Sequence, residues 1–186
     1  MRKVILFMLT TLDGFFEGPN QDLSWHNVDE EFNEFAIQQL DDLDMLFFGR
    51  VTYQGMESWW TTPMAIEDDP IVAGIMNSKP KVVFSTTLDA ANWEHTRLVK
   101  ENVAEAVTEL KQAPGKDIAI FGSSDLTVSL MELGLVDELR ILVNPVVLGA
   151  GKRLLAGIHD APKLHLIDSR PFRNGNVLLR YEVVRS

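Results

Sequence analysis

The stretch IAIFGSSDLT, residues 118–127, decides the fold class. Ile118, Ala119, Ile120 and Phe121 form an unbroken apolar run, the mark of a strand buried on both faces, and it breaks at once into Gly122, Ser123 and Ser124. From Asp125 onward, Leu126, Leu130 and Leu133 recur at helical spacing. A buried strand that turns straight into a helix is the unit from which helix-covered, largely parallel sheets are built. The turn itself reads two ways. It is either a plain connection whose serine or aspartate caps the helix, or an anion cradle in which a glycine and small hydroxyl residues let backbone N–H groups approach a ligand.

Outward from this unit, short apolar runs alternate with amphipathic segments. Residues 4–9, 45–48, 81–84, 118–121, 138–143, 164–172 and 177–184 read as strands. Residues 28–40 read as a helix with Val28, Phe32, Phe35 and Ala36 facing inward, and 102–111 as a helix with Val103, Ala106, Val107 and Leu110 on one side. Shorter helices are expected at 52–60 and at 67–77, the latter with Pro70 early in it. Asn174-Gly175 signals a tight hairpin joining the last two strands, so the chain ends antiparallel. Residues 10–27 and 61–70 read as irregular, and the first of these, directly after a strand, is where a substrate cleft is expected. No internal repeat or flexible linker divides the chain, so residues 1–186 read as one α/β domain.

Composition narrows the function. The 17 Lys and Arg against 27 Asp and Glu give a net charge of −10, which denies nucleic acid or an anionic membrane its electrostatic footing. Without cysteine there are no disulfides, thiolate nucleophiles or Cys-ligated zinc, and His95, His159 and His165 lack mutual metal-ligand spacing. The apolar run at 4–9 is too short to span a bilayer and is not followed by a cleavage pattern, so the cytoplasm is the expected compartment.

Three strand ends finish in one chemistry: Gly49, Arg50 and Thr52; Ser85, Thr86 and Thr87; Gly122, Ser123 and Ser124. In an open α/β sheet, ligands bind at the carboxyl ends of the strands. Three such turns suit a polyphosphate or dinucleotide, since neither a Gly-x-Ser-x-Gly elbow nor a Walker-type lysine loop is present.

The order TTLDGFFEGPNQDLSW (10–25), FFGRVTYQGMESW (47–59), KVVFST (81–86) and IAIFGSSDLTVSLMELGLVDELRILVNPVVLGAGKRLL (118–155) resembles the dihydrofolate reductase-like superfamily. More closely, it is similar to the reductase domain of the bacterial bifunctional riboflavin-biosynthesis deaminase-reductase and its stand-alone relatives. The resemblance implies a central mixed, mostly parallel sheet flanked by helices, and a homodimer. It also implies NADPH, with NADH as the alternative, lined by Gly49, Arg50, Thr52, Ser85, Thr86 and the turn Phe121, Gly122, Ser123, Ser124, Asp125 and Leu126. The implied activity is hydride transfer to a small planar heterocycle, pterin-like or pyrimidine-like. The alternatives are the 5-amino-6-(5-phosphoribosylamino)uracil reductase step and a dinucleotide-binding module without turnover. Where the reductases often carry paired glycines and a following arginine, this chain has Gly122-Ser123 and Asp125.

Hydride transfer asks the protein for positioning and a proton source. Dihydrofolate reductases carry an acidic residue on the first helix, after a tryptophan. Here Glu31 lies three after Val28 and four before Phe35, on the inward face or its rim, and a carboxyl there is expected to have a raised pKa. Asp13 is expected to brace its loop through bonds to the N–H groups that follow it, and His26 to donate to substrate. Thr11, Trp25 and Trp59 are expected at the substrate, with the aromatic residues, joined by Trp60, Phe15 and Phe16, stacking on a flat ring.

Overall fold

The computed structural model describes residues 1–184. Its strands are Val4–Thr11 (β1), Phe15–Glu17 (β2), Leu43–Gly49 (β3), Lys81–Phe84 (β4), Thr96–Val99 (β5), Asp117–Phe121 (β6), Glu138–Asn144 (β7), Lys152–Arg153 (β8), Lys163–Pro171 (β9) and Val177–Val184 (β10). The helices are Glu30–Asp41 (α1), Arg50–Trp60 (α2), Pro63–Asp68 (α3), Pro70–Ser78 (α4), Val103–Gln112 (α5) and Ser124–Glu132 (α6). Eight strands form one sheet in the order β5-β4-β3-β6-β1-β7-β10-β9. The first six are parallel, and β10 and β9 close the sheet antiparallel, as Asn174-Gly175 foretold.

The alternation along β1 distributes the core to both faces. Val4 and Leu6 pack with Ile118, Ile120, Ala106, Val107 and Leu130 beneath α5 and α6. Ile5 packs with Ala119, Leu46, Val83, Leu40, Val72 and Met76 beneath α1 and α4. Helices on both faces explain why β1, β4 and β6 read as unbroken apolar runs.

Several boundaries differ from the sequence reading. The expected helix at 67–77 is two helices: the Asp69 side chain accepts from the Val72 N–H and Pro70 opens α4, so a cap and an N1 proline split the segment. Residues 61–70 are not irregular, because the Thr62 hydroxyl caps α3 at the Ala65 N–H. Residues 10–27 are irregular only in part: β1 runs to Thr11 and β2 pairs with β8 as a separate ribbon, while residues 22–27 form neither helix nor strand. No sequence pattern marks β5, a half-exposed edge strand with the polar start Thr96-Arg97, or the two-residue β8. Asp29 caps α1 by accepting from the Phe32 N–H, so Val28 precedes the helix and lies exposed rather than on its inward face.

Candidate functional site

Because β3, β4, β5 and β6 run parallel, their carboxyl ends share one edge of the sheet. There the Gly49 N–H donates to Ser123 Oγ at 2.6 Å, and the Ser123 hydroxyl lies 3.1 Å from Thr52 Oγ1, which ties the starts of α2 and α6 together. Contact is tight: a Cβ on Gly49 would lie 2.8 Å from Ser123 Oγ, and one on Gly122, at φ +68°, would lie 2.9 Å from Thr52 Cγ2. Ser123 is itself left-handed, with φ 57°, and its side chain does not cap α6. Gly49 cannot cap α2, and the left-handed Asn102 makes no side-chain cap on α5. Three helix starts at one sheet edge therefore keep their first N–H groups without a capping side chain, the condition in which a helix N-terminus attracts an anion.

Around this row, the serine hydroxyls belong to the fold. Ser85 Oγ accepts from the N–H groups of Thr87 and Leu88, and the buried Ser124 Oγ accepts from the Leu155 N–H at 2.9 Å. Arg50 is exposed; it touches Gln54 Oε1 at 3.2 Å and makes no ion pair among the described residues. Thr86 and Asp125 are exposed, Leu126 is half-buried, and Phe121 packs edge-on against Phe7. Where β5 ends, a cavity of about 410 Å³ is lined by Arg97, Lys100, Glu101, Asn102 and Glu105. It adjoins the Ser85 turn, whose N–H donates to the Val99 carbonyl. Sequence reasoning missed Arg97 and Lys100 because β5 itself was missed, whereas Asn102 and Glu105 belong to the helix expected at 102–111.

The substrate-side residues separate into three groups. Asp13 braces a loop, but not the one expected: it accepts from the Thr11 hydroxyl at 2.6 Å and from the N–H groups of Leu148 and Gly149. The Thr11 hydrogen bond, with those N–H groups, holds the Asp13 carboxyl below its usual range. Thr11 is buried, and its hydroxyl also accepts from the Phe15 N–H, so its polar group is committed to this brace rather than to a substrate. Trp59 stands at the far end of α2, roughly 14 Å of helix from Arg50, near α3 and away from the carboxyl edge. Phe15 is buried in β2, so the expected aromatic cluster does not assemble.

Trp25 and His26 stay at the carboxyl edge, edge-on at 4.5 Å. They are held there because the neighbouring Asn27 N–H donates to Asn144 Oδ1 at the end of β7. Burial pushes the His26 pKa down against the pull of Asp22. Glu31 is half-buried on α1, as its spacing predicted, yet its pKa moves down, not up. The Arg173 backbone N–H donates to Oε2 at 2.9 Å, and the Arg170 and Arg173 guanidiniums stand at 3.4 Å. The apolar helix face is thus overruled by donors from the β9–β10 hairpin.

The model of the RibD C-terminal domain matches residues 2–178. The chain belongs to this family. Among its relatives, the uncharacterized protein YyaP of Bacillus subtilis (strain 168) is 33% identical over 97% of this chain and 94% of its own. In fold, the chain is similar to the Thermotoga maritima diaminohydroxyphosphoribosylaminopyrimidine deaminase/5-amino-6-(5-phosphoribosylamino)uracil reductase. That likeness has a TM-score of 0.70 at 13% identity and covers 98% of this chain and 57% of that one. It is also similar to a dihydrofolate reductase from Enterococcus faecalis complexed with NADP(H), with a TM-score of 0.65 at 14% identity over 98% and 97%. Membership in the RibD C-terminal domain family supports a reductase role, and the fold is dihydrofolate reductase-like. Among the described residues, no helix is long and apolar enough to cross a membrane.

Proposed function

We propose that the chain is an NADPH-dependent oxidoreductase acting on a small planar heterocycle, pterin-like or pyrimidine-like. The observation that carries this is the row of uncapped helix starts at α2, α5 and α6, two of them joined through Ser123, with the unpaired Arg50 beside them. Glycine at 49 and 122 lets Ser123 and Thr52 pack against the backbone, which brings the starts of α2 and α6 together where the pyrophosphate would approach. Backbone N–H groups at Gly122 to Leu126 and the Arg50 fork would hold the dinucleotide, with Thr86 and the β5 cavity toward its adenosine end. When bound, it supplies the hydride. The chain's part is to hold Trp25 and His26 over the carboxyl ends of β1 and β7 and to exclude water from the reacting ring. Hydrogen-bond donors favour the charged forms of Asp13 and Glu31, which leaves His26 or ordered water to deliver the proton to the product.

A phosphoribosylated substrate is less well supported, because Arg170 and Arg173 already face Glu31. Binding without turnover is favoured by one observation: Glu31, the carboxyl expected to donate, is held toward its charged form by the Arg173 N–H. Titration with NADPH and NADH by tryptophan fluorescence, followed by NADPH oxidation with candidate heterocycles, tests all three readings. NADPH is expected to bind the more tightly. Arg50→Ala is expected to cost about 1.5–3 kcal/mol with NADPH and less with NADH, and equal losses would move Arg50 to the pyrophosphate. Failure of both dinucleotides to bind overturns the proposal.

A further inference from the structure

A cavity of about 650 Å³ opens between the last turn of α6, the segment that leads into β9, and the end of β10. It lies at the edge of the sheet opposite the carboxyl ends: the Val183 N–H donates to the Asp137 carbonyl, just before β7 begins. α6 spans the two edges. Its start is joined to α2 through Ser123, and its nine residues carry its end roughly 14 Å away. Half-buried Met131, Ile158 and Val183 give the cavity an apolar wall. Its volume falls within the range of about 300–1,000 Å³ usual for small-molecule sites.

The charge at the cavity has one sign. Glu132 and Asp160 stand at its rim, and neither carboxyl group has an ion-pair partner among the described residues. The carboxyl end of α6, closed by Gly134 at φ +67° with its N–H on the Met131 carbonyl, adds partial negative charge. Lys163 also borders the cavity, but strand alternation directs its ammonium elsewhere. Val183 packs on the α6 side of the sheet, so Val184 and its register partner Lys163 stand on the other face. We propose that this cavity binds a small organic cation, an ammonium group on an apolar body. The body lies against Met131, Ile158 and Val183, and the ammonium lies between Glu132, Asp160 and the end of α6. An anion would meet two carboxylates with no cation directed at it, and a neutral ligand would leave both unpaired. The cavity shares no residue with the carboxyl-edge turns.

Amide NMR of the full chain, titrated with n-hexylamine at neutral pH where the amine is protonated, is expected to move the signals of residues 131–134, 158–163 and 183–184. Those of residues 49–52 and 122–126 are expected to stay in place. The amine is expected to bind about fivefold more tightly than n-hexanol, and hexanoate more weakly than either. Glu132→Gln combined with Asp160→Asn changes only exposed side chains and is expected to bring the amine and the alcohol to equal affinity. Ala161→Trp, also at an exposed position, is expected to fill the cavity and abolish the binding of both. Hexanoate that binds as tightly as the amine overturns the proposal, as does the absence of saturable shifts at the cavity. If Ala161→Trp fails to fold, the neutralised pair decides: a preference for the amine that survives it overturns the proposal.

Discussion

A carboxyl group on the apolar side of a helix keeps or loses its proton according to what donates to it, and at Glu31 the donors come from one hairpin. The Arg173 N–H and the guanidiniums of Arg170 and Arg173 all favour the charged form, so the folded pKa lies below the ordinary 4.5. A carboxyl with a depressed folded pKa stabilises the fold fully above its unfolded pKa, and that contribution is lost as the pH falls through the folded value. Glu31→Gln should therefore lower stability in urea unfolding at neutral pH, and the gap to wild type should close as the pH falls below about 4. A gap of equal size at pH 3 would show that the side chain acts by shape alone. The spacing of Glu31 and Phe35 set Glu31 at the half-buried rim of α1, although Val28, read as part of the same face, precedes the helix. No local pattern could have supplied its partners, since Arg170 lies 139 residues away in sequence.

Elements were legible where their signals are local. Asn174-Gly175 makes the hairpin turn it announces, with Gly175 at φ +91° and its N–H on the Phe172 carbonyl. The alternating helix and strand patterns gave the α/β class and all six parallel strands but β5. What holds the segment before α1 was not legible, because asparagines from distant strands do it. Buried Asn144 at the end of β7 accepts from the Asn27 N–H at 2.9 Å and donates to the carbonyls of Thr10 and Leu142. The Asn27 carbonyl in turn accepts from Asn174 and from Asn176 at 2.7 Å. This ties the Trp25-His26 segment to β7 and to the hairpin at once. Asn144→Ala would strand the Thr10 and Leu142 carbonyls and the Asn27 N–H, so it should cost about 2–3 kcal/mol in urea unfolding and speed hydrogen exchange at residues 25–28. Exchange that is faster everywhere alike would mean that Asn144 serves the whole sheet and not this segment.

The whole molecule sets a field that its parts oppose. A net charge of −10 repels a dinucleotide phosphate at long range, whereas in the proposed site Arg50 and the uncapped starts of α2, α5 and α6 would attract it at contact. The two effects differ in their response to salt. Repulsion summed over the surface is screened beyond a Debye length of about 10 Å at 0.1 M, while hydrogen bonds from backbone N–H groups at contact distance are screened much less. The carboxyl-edge turns could be placed from the sequence because a glycine or hydroxyl residue marks each of them. The balance of near and far charge could not, because it depends on which cations the fold leaves unpaired. The association rate of NADPH, followed by stopped-flow tryptophan quenching, should therefore rise as salt goes from about 10 to about 150 mM. Dissociation should change little over the same range. A rate that instead falls with salt would mean that a basic funnel guides the cofactor, and would direct attention to Arg97 and Lys100 at the β5 cavity rather than to the helix starts.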